Sequence, residues 1–310
     1  MTRAGGSRHG AAWPIIALAL LVLLSIGLLE YLDRPAARRG PLVAERHHGR
    51  ERPRRESPIP RSDPHARPIE PPGEEDWVDT GDEPPRVAIV IDDVGFEEGP
   101  ALDMARLGLP LTFAILPFQA HTRSLATRLH ASGREVILHL PMEPQAYPER
   151  NPGEGAVSEG MRPAEIAETV RRALDEVPEA VGVNNHMGSR VTGDPVVMRA
   201  VLEVVRDRRL YFLDSRTTSE TIAYDMARDM GIPAMERSVF LDDRREASYI
   251  EGQVRELLKK ARERGTAVGI GHADRVTAAA LRRCAGLLRS GEVRIVPASE
   301  LAGLDRRGSD

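Results

Sequence analysis

The chain has 310 residues and a formal net charge of −4. Its length allows one large domain or two small ones, and the mild charge neither favours nor excludes a nucleic-acid partner. A single cysteine, Cys284, excludes an internal disulfide framework and any CxxC metal or redox motif.

Residues 11–29, AAWPIIALALLVLLSIGLL, carry no charge over 19 positions, which is the length an α-helix needs to cross a bilayer. Trp13 and Tyr31 lie near the two ends, where amphipathic rings favour the headgroup region. The run is longer than a usual signal-peptide core, and no small-x-small cleavage site precedes Asp33-Arg34-Pro35. Residues 1–32 are therefore expected to form an uncleaved anchor in the cytoplasmic membrane. Arg34, Arg38, Arg39, Arg46 and Arg50 follow the span and favour a cytoplasmic C-terminal side, whereas the short N-terminal tail favours the reverse.

Residues 33–85 are rich in Pro and Arg and turn acidic at EPPGEEDWVDTGDE. They lack apolar periodicity and cannot bury enough surface to fold, so a disordered, semi-extended linker is expected. No aromatic residue interleaves the arginines, so no nucleic-acid partner is expected. Nothing in the sequence names a protein partner.

From Arg86 to about residue 305 the texture changes. Short apolar runs, VAIVID, LTFAILP, EVILHLP, VGVNNH, LYFLDS, AMERSVFLD, AVGIGHA and VRIVPAS, alternate with helical stretches. RPAEIAETVRRALDEV places Ile166, Val170 and Leu174 on one face. DPVVMRAVLEVVRDRR has Asp194 as N-cap and Pro195 in the first turn. Glu97 and Glu98 are expected to begin a helix after the first strand, and Cys284 to pack on the apolar side of the last long one. Alternating strands and helices imply a parallel sheet, and about seven or eight strands in roughly 220 residues imply a closed or nearly closed (β/α) barrel.

In such a fold the chemistry collects at the C-terminal ends of the strands. Five run ends are singled out for their Asp or His: Asp92-Asp93, His139 with Glu143 beyond it, Asn184-Asn185-His186 with Arg190 beyond, Asp214-Ser215-Arg216, and His272 with Asp274. Each alone is weak, since a strand-end His is commonly a hydrogen-bonded structural residue and Asp-Asp a turn or cap. Together on one rim, Asp and imidazole suit a hydrolytic zinc site or one for a related divalent metal. A cation would also relieve the cost of placing two carboxylates side by side.

In order, IDDVG, HLPMEP, NNHMGSR, FLDSRTT and GIGHA resemble the divergent polysaccharide deacetylase family, which is related to the NodB-type carbohydrate esterases. The resemblance spans about residues 86–304 and implies an α/β fold, a distorted barrel of about seven parallel strands with a metal site on its rim. It implies that Asp92 is the general base and Asp93 a metal ligand. His139 matches the first His of the second motif, but the second His is replaced by Glu143. The third ligand is then either Glu143 or His186, and His186 is favoured because neutral imidazole is a common zinc ligand. Arg190 resembles the arginine that holds the base, His272 the general acid, and Asp214 the carboxylate that orients it.

The implied activity is metal-dependent removal of N-acetyl groups from a cell-envelope polysaccharide. That would require a single-pass protein of the bacterial inner membrane with its barrel in the periplasm or outside the cell. The replaced His leaves a rival reading, a catalytically altered or inactive deacetylase-fold protein that binds glycan or acts as an envelope scaffold. A Ser215–His272–Asp214 hydrolase is disfavoured, because no GxSxG elbow is present and Asp92, Asp93 and His139 would go unexplained.

Overall fold

The first strand, β1 (Arg86–Val94), is buried along almost its whole length. Its side chains divide by parity, as a pleated strand requires. Ala88 and Val90 join one small apolar cluster, while Val87, Ile89 and Ile91 join a much larger one. The small cluster also takes Ala114, Ile137, Leu213, Met235 and Ile270, from widely separated parts of the chain. It is the lumen of a curled sheet, and the large cluster is the layer between sheet and helices.

In this computed structural model, residues 84–303 are described. After β1 come α1 (Glu98–Ala105), β2 (Thr112–Ile115), α2 (Thr122–Ala131), β3 (Glu135–Met142), α3 (Pro163–Glu176) and β4 (Gly182–Met187). A 3-10 turn (Val191–Gly193), α4 (Pro195–Asp207), β5 (Tyr211–Asp214), α5 (Ala223–Asp229), β6 (Ala234–Glu236) and β7 (Val239–Phe240) follow. The chain continues through α6 (Ala247–Arg264), β8 (Thr266–His272), α7 (Arg275–Leu288), β9 (Arg294–Ile295) and α8 (Ala298–Leu301). The expected membrane span and nearly all of the expected linker lie outside the described residues. Among the described residues no helix is long and apolar enough to cross a membrane.

The helices form where the sequence leads. Asp194 caps α4 by accepting from the backbone N–H of Val196 and Val197, and Pro195 occupies the first turn. In α3, Ile166, Val170 and Leu174 are buried on one face. Glu98 opens α1, and Cys284 is buried on α7.

The sheet runs β6-β5-β4-β3-β2-β1-β8-β7, and every pairing is parallel. β9 pairs with the first two residues of β1. Laid flat, eight strands at ~4.8 Å spacing would hold the two edges ~34 Å apart. Yet β6 and β7 are separated in the chain only by Arg237 and Ser238, a link that reaches at most ~11 Å. The sheet must therefore curl until its edges almost meet. Arg237 spans the end of that seam, donating from Nε to the Ser215 carbonyl at 2.7 Å and from Nη2 to the Arg216 carbonyl at 2.8 Å. The parallel-strand, curled α/β barrel expected from the sequence is present, but as an open sheet of nine strands, not about seven, with β6 and β7 as its unpaired edges; AMERSVFLD is two strands, not one. Its break at Arg237-Ser238 is the seam itself.

The N-terminal end of the lumen is filled. Glu135 accepts hydrogen bonds from Thr112 Oγ1, Tyr211 Oη and the Ser299 N–H, each at 3.0 Å. The Tyr211 ring lies so close over Gly182 that a Cβ there would sit 2.5 Å from its Cζ. The open end is the other one, where the parallel strands deliver their C-terminal residues.

Candidate functional site

Parity selects which strand-end residues reach the lumen. On β1, Ala88 and Val90 are followed in phase by Asp92; on β8, Val268 and Ile270 by His272; on β3, Ile137 by His139. On β4, Gly182 faces the lumen, so Asn184 and His186 follow it. Register sets the levels: Asp92 pairs directly with His272, and His139 with Asn184.

Asp93 is out of phase with Asp92, and an undisturbed strand would turn it toward the helices. It does not turn away, because its backbone adopts the left-handed conformation, φ 58°. The β1–β2 register also slips between Ile91 and Val94. The irregularity re-aims the side chain, as strand bulges do, and both carboxylates reach one site.

Asp93 Oδ1, His139 Nε2 and His186 Nδ1 form a close triangle. Its edges are 3.2 Å (Asp93–His139), 2.9 Å (Asp93–His186) and 3.1 Å (His139–His186). Among the described residues, these three side chains are the group that could hold a metal ion. Donors about 2.1 Å from a common ion would stand ~3.0–3.4 Å apart in octahedral or tetrahedral arrangement, so the triangle fits a small divalent cation. Asp93 Oδ1 is buried and receives no hydrogen bond of acceptable geometry, as suits an atom whose lone pair is reserved for a cation.

Asn184 organises the layer behind the triangle. Its Nδ2 donates to Asp92 Oδ1 at 2.9 Å and to Ser215 Oγ at 3.2 Å, so its Oδ1 is left to accept from His139 Nδ1 at 2.9 Å. That bond places the His139 proton on Nδ1 and leaves Nε2 bare toward the triangle, the usual way a metal-facing imidazole is fixed. Asn185 ties the neighbouring strand end, accepting from the Ser215 N–H at 2.9 Å. The NNH run carried this signal, since two consecutive amides at a buried strand end need partners.

Burial raises the Asp92 carboxyl above its ordinary value, only partly offset by the charges of His139 and His272. Burial works in the same sense on Asp93, but the His139 and His186 rings outweigh it and hold that carboxyl far below the usual range. His139 is penalised by burial yet raised overall by the Asp92 and Asp93 charges. For His272 burial is again overcome, here chiefly by its hydrogen bond to Asp242, and the ring is raised to about 9.

Two expected roles need correction. Asp214 does not meet His272. On β5, Tyr211 and Leu213 point into the lumen, so Asp214 points away. It accepts from the Arg216 N–H at 2.7 Å, Thr221 Oγ1 at 2.8 Å and the Tyr224 N–H at 3.3 Å, bracing the β5–α5 connection. Burial raises its carboxyl. The carboxylate that holds His272 is Asp242, just beyond β7 and in phase with Phe240. Its Oδ1 lies 3.0 Å from His272 Nδ1, and its Oδ2 accepts from the His272 N–H at 2.6 Å and Thr277 Oγ1 at 2.7 Å. The signal was in the letters, since AMERSVFLD itself ends in Asp242.

Arg190 does not hold Asp92 either. Beyond Met187 and Gly188, both at positive φ, the chain turns out of the lumen. Arg190 Nε then lies 3.0 Å from Glu143 Oε1, its Nη1 3.2 Å from Glu159 Oε2, and its Nη2 donates to the Gln145 carbonyl at 3.0 Å. Glu143 is buried in this brace, accepting from the Glu159 N–H at 3.1 Å, and is no part of the triangle. His186 fills the third corner instead.

The rim thus brings a candidate metal triangle together with a buried carboxylate, Asp92, on one side. On another stands a carboxylate-held imidazole, whose Nε2 is 3.8 Å from Asp93 Oδ2. In parallel α/β barrels the C-terminal strand ends are where functional side chains collect, and this cluster stands there. Residues 89–302 match the family model for divergent polysaccharide deacetylases, and the chain belongs to that family. It is 36% identical over 217 residues to an uncharacterized Escherichia coli K12 protein, YibQ, covering 70% of this chain and 67% of that one. An uncharacterized Haemophilus influenzae protein is 33% identical over 197 residues, 64% of this chain and 70% of that one. The crystal structure of an uncharacterized Agrobacterium tumefaciens C58 protein shares the fold, with a TM-score of 0.68 at 24% identity, covering 72% of this chain and 91% of that one.

Proposed function

We propose that the protein is a metal-dependent hydrolase that removes N-acetyl groups from a cell-envelope polysaccharide. The observation that carries this reading is the convergence of Asp93, His139 and His186 on one point, flanked by Asp92 and by the His272–Asp242 pair. One carboxylate and two imidazoles favour zinc. Held there, the ion would supply Lewis acidity toward an acyl carbonyl and toward water.

The chain's own groups divide the proton work. Asn184 holds Asp92 Oδ1, leaving Oδ2 to take a proton from water as its oxygen bonds to the carbonyl carbon. His272 keeps its Nδ1 on Asp242 and presents Nε2 to the leaving nitrogen. As the C–N bond breaks, that ring gives its proton to the amine, and acetate and a free amino sugar result. A buried carboxylate beside a cation site and an imidazolium held by Asp242 are the two contrasting environments that acid–base catalysis needs.

The charge-free run at residues 11–29 supports an N-terminal membrane anchor, and the short tail before it together with an envelope substrate favours a barrel beyond the cytoplasmic membrane despite the arginines that follow the span. The linker, if extended at about 3.1 Å per residue, would carry it on the order of 150 Å toward a polymer it cannot draw in. Reporters active only inside or only outside the membrane, fused at the C-terminus, test this; a cytoplasmic signal alone overturns it.

Purified protein should contain about one divalent ion per chain and release acetate from at least one N-acetylated envelope glycan. Full metal occupancy with no acetate from any glycan or small N-acetyl amide would replace this reading by the glycan-binding or scaffold one.

A further inference from the structure

The seam between β6 and β7 lies behind His272 and lacks the backbone ladder that joins the other strands. β7 is two residues long and, among the described strands, pairs only with β8. Yet β7 and the residue just beyond it carry both side chains that hold the imidazole. Asp242 Oδ1 is 3.0 Å from His272 Nδ1, and the Phe240 ring meets the imidazole edge-on, with centroids 5.3 Å apart and planes at 76°. The ring that would give up a proton is therefore held by a sheet edge, where a strand has half of its usual backbone support.

Arg237 supplies support from the other side of the seam. Its N–H donates to the Asp214 carbonyl at 3.0 Å, and its Nε and Nη2 fork onto the Ser215 and Arg216 carbonyls at the exit of β5. Its Cζ lies 5.0 Å from the centroid of the Phe240 ring, within cation–π range. Guanidinium, phenyl ring and imidazole thus make a continuous run of contacts from β5 to His272. The anchor at Ser215 belongs to the base side of the site. Its N–H is held by Asn185 Oδ1, and its Oγ by Asn184 Nδ2, the same amide that holds Asp92. Closing the seam needs no charge: Ser238 ties its half with an N–H on the Val268 carbonyl at 2.8 Å and an Oγ that accepts from the Val268 N–H at 3.1 Å. Arg237 is half-buried, makes no ion pair with any described residue, and burial works against its charge. A cation kept there at a cost has more to do than close an edge.

The geometry points to Arg237 as a positioning residue that acts through Phe240 on His272. Locked by its planar fork on two carbonyls, a grip that a lysine cannot reproduce, the guanidinium backs one face of Phe240. Phe240 in turn limits the tilt of the imidazole about its bond to Asp242 and keeps Nε2 aimed at the leaving nitrogen. Arg237 itself touches no reacting atom. It refers the orientation of the proton donor to the same strand exit that supports the proton acceptor. The meaning of that orientation rests on the proposed hydrolase reading; the run of contacts does not.

The test is a double-mutant cycle read in two ways on full-length protein in detergent with zinc added. Acetate release gives kcat and KM, and NMR of histidine-labelled protein follows the His272 ring C–H signal, which the Phe240 ring current displaces. Arg237→Gln should lower kcat about 10- to 100-fold, the scale of a small misplacement of a reacting group, with KM within about threefold; Arg237→Lys should recover part of the loss. Phe240→Leu should match Arg237→Gln, and the double variant should fall no more than about threefold further, because both break one path. The His272 signal of Arg237→Gln should move toward its position in Phe240→Leu. Val170→Ala, in the buried face of α3, should lower Tm yet leave kcat of the folded fraction within about threefold, which separates positioning from stability. If Arg237→Gln does not fold, Arg237→Lys takes its place in the cycle. An unmoved His272 signal with kcat unchanged, or losses that multiply in the double variant, overturns the positioning role. A moved His272 signal in a protein whose wild type releases no acetate keeps the coupling of Arg237 to His272 and removes the hydrolase reading.

Discussion

The exchange of Asp214 for Asp242 as the partner of His272 can be tested with two isosteric substitutions. Asp242→Asn removes the charge behind His272 but not the shape. An Asn there can still accept from the His272 N–H and Thr277 Oγ1, now held at 2.6 and 2.7 Å. Its NH2 would then face His272 Nδ1 and push the ring proton to Nε2 of a neutral imidazole, a far weaker acid. A hydrogen bond to a charged group contributes ~1.5–3 kcal/mol. If that is lost from the transition state, kcat falls about 10- to 150-fold. Asp214→Asn acts elsewhere. Its NH2 must confront either the Arg216 N–H or the Tyr224 N–H, both donors. The cost is ~1–3 kcal/mol of folding stability, read as a lower Tm, with kcat of the folded fraction within about threefold. The assay is acetate release alongside thermal unfolding, with ring-nitrogen NMR of His272 reporting the tautomer. A tenfold loss of kcat in Asp214→Asn at unchanged Tm, with Asp242→Asn unaffected, would refute the reasoning.

Three further outcomes follow from the site. Asp93→Ala, His139→Ala and His186→Gln should each lose the divalent ion, whereas Glu143→Gln should keep it and instead lower Tm by loosening the Arg190–Glu159 brace; metal analysis and melting curves separate them, and metal loss from Glu143→Gln alone would restore it as the ligand. Asp92→Asn should retain metal while turnover drops about 10²–10⁴-fold, the usual worth of acid–base assistance; unchanged turnover would remove Asp92 from the mechanism. Asp93→Gly and Asp93→Ala should both lose metal, but the Gly variant should melt higher, because a left-handed φ favours Gly over Ala by on the order of 1 kcal/mol; equal melting points would mean that φ at this position is not constrained.

Much of the barrel was legible because buried parallel strands read as short apolar runs between helices. The same property hid the parity. In LYFLDS the flanks of Asp214 are apolar on both faces, so nothing in the letters says whether Asp214 or its neighbours look into the lumen. Tyr211 settles it in the structure by reaching Glu135 across the barrel floor. Asp242 was legible as the last residue of AMERSVFLD, but the seam strands are three and two residues long, too short for periodicity to tell that it, and not Asp214, faces His272. His186 was favoured by the chemistry of imidazole and stands in the triangle, while Arg190 follows the turn at Met187 and Gly188, where the direction of the chain is set by backbone dihedrals that the letters do not display.

The pair Asp92-Asp93 shows how the fold resolves a local conflict. Strict alternation would send the second carboxylate into the layer that holds Val87, Ile89 and Ile91. An ionised group there without partners would cost several kcal/mol or more. The alternative is to invert one residue into the left-handed region, at ~1–3 kcal/mol, and Asp tolerates that region better than most residues. The inversion is therefore the cheaper solution. It also brings Asp93 Oδ1 within 2.9 Å of His186 Nδ1 and 3.2 Å of His139 Nε2, so a carboxylate that would have been a defect in the helix layer becomes one corner of the triangle. Asp92, left in phase, stays behind it on Asn184. One backbone irregularity thus gives two adjacent, chemically identical side chains two different surroundings, one suited to a cation and the other to a proton.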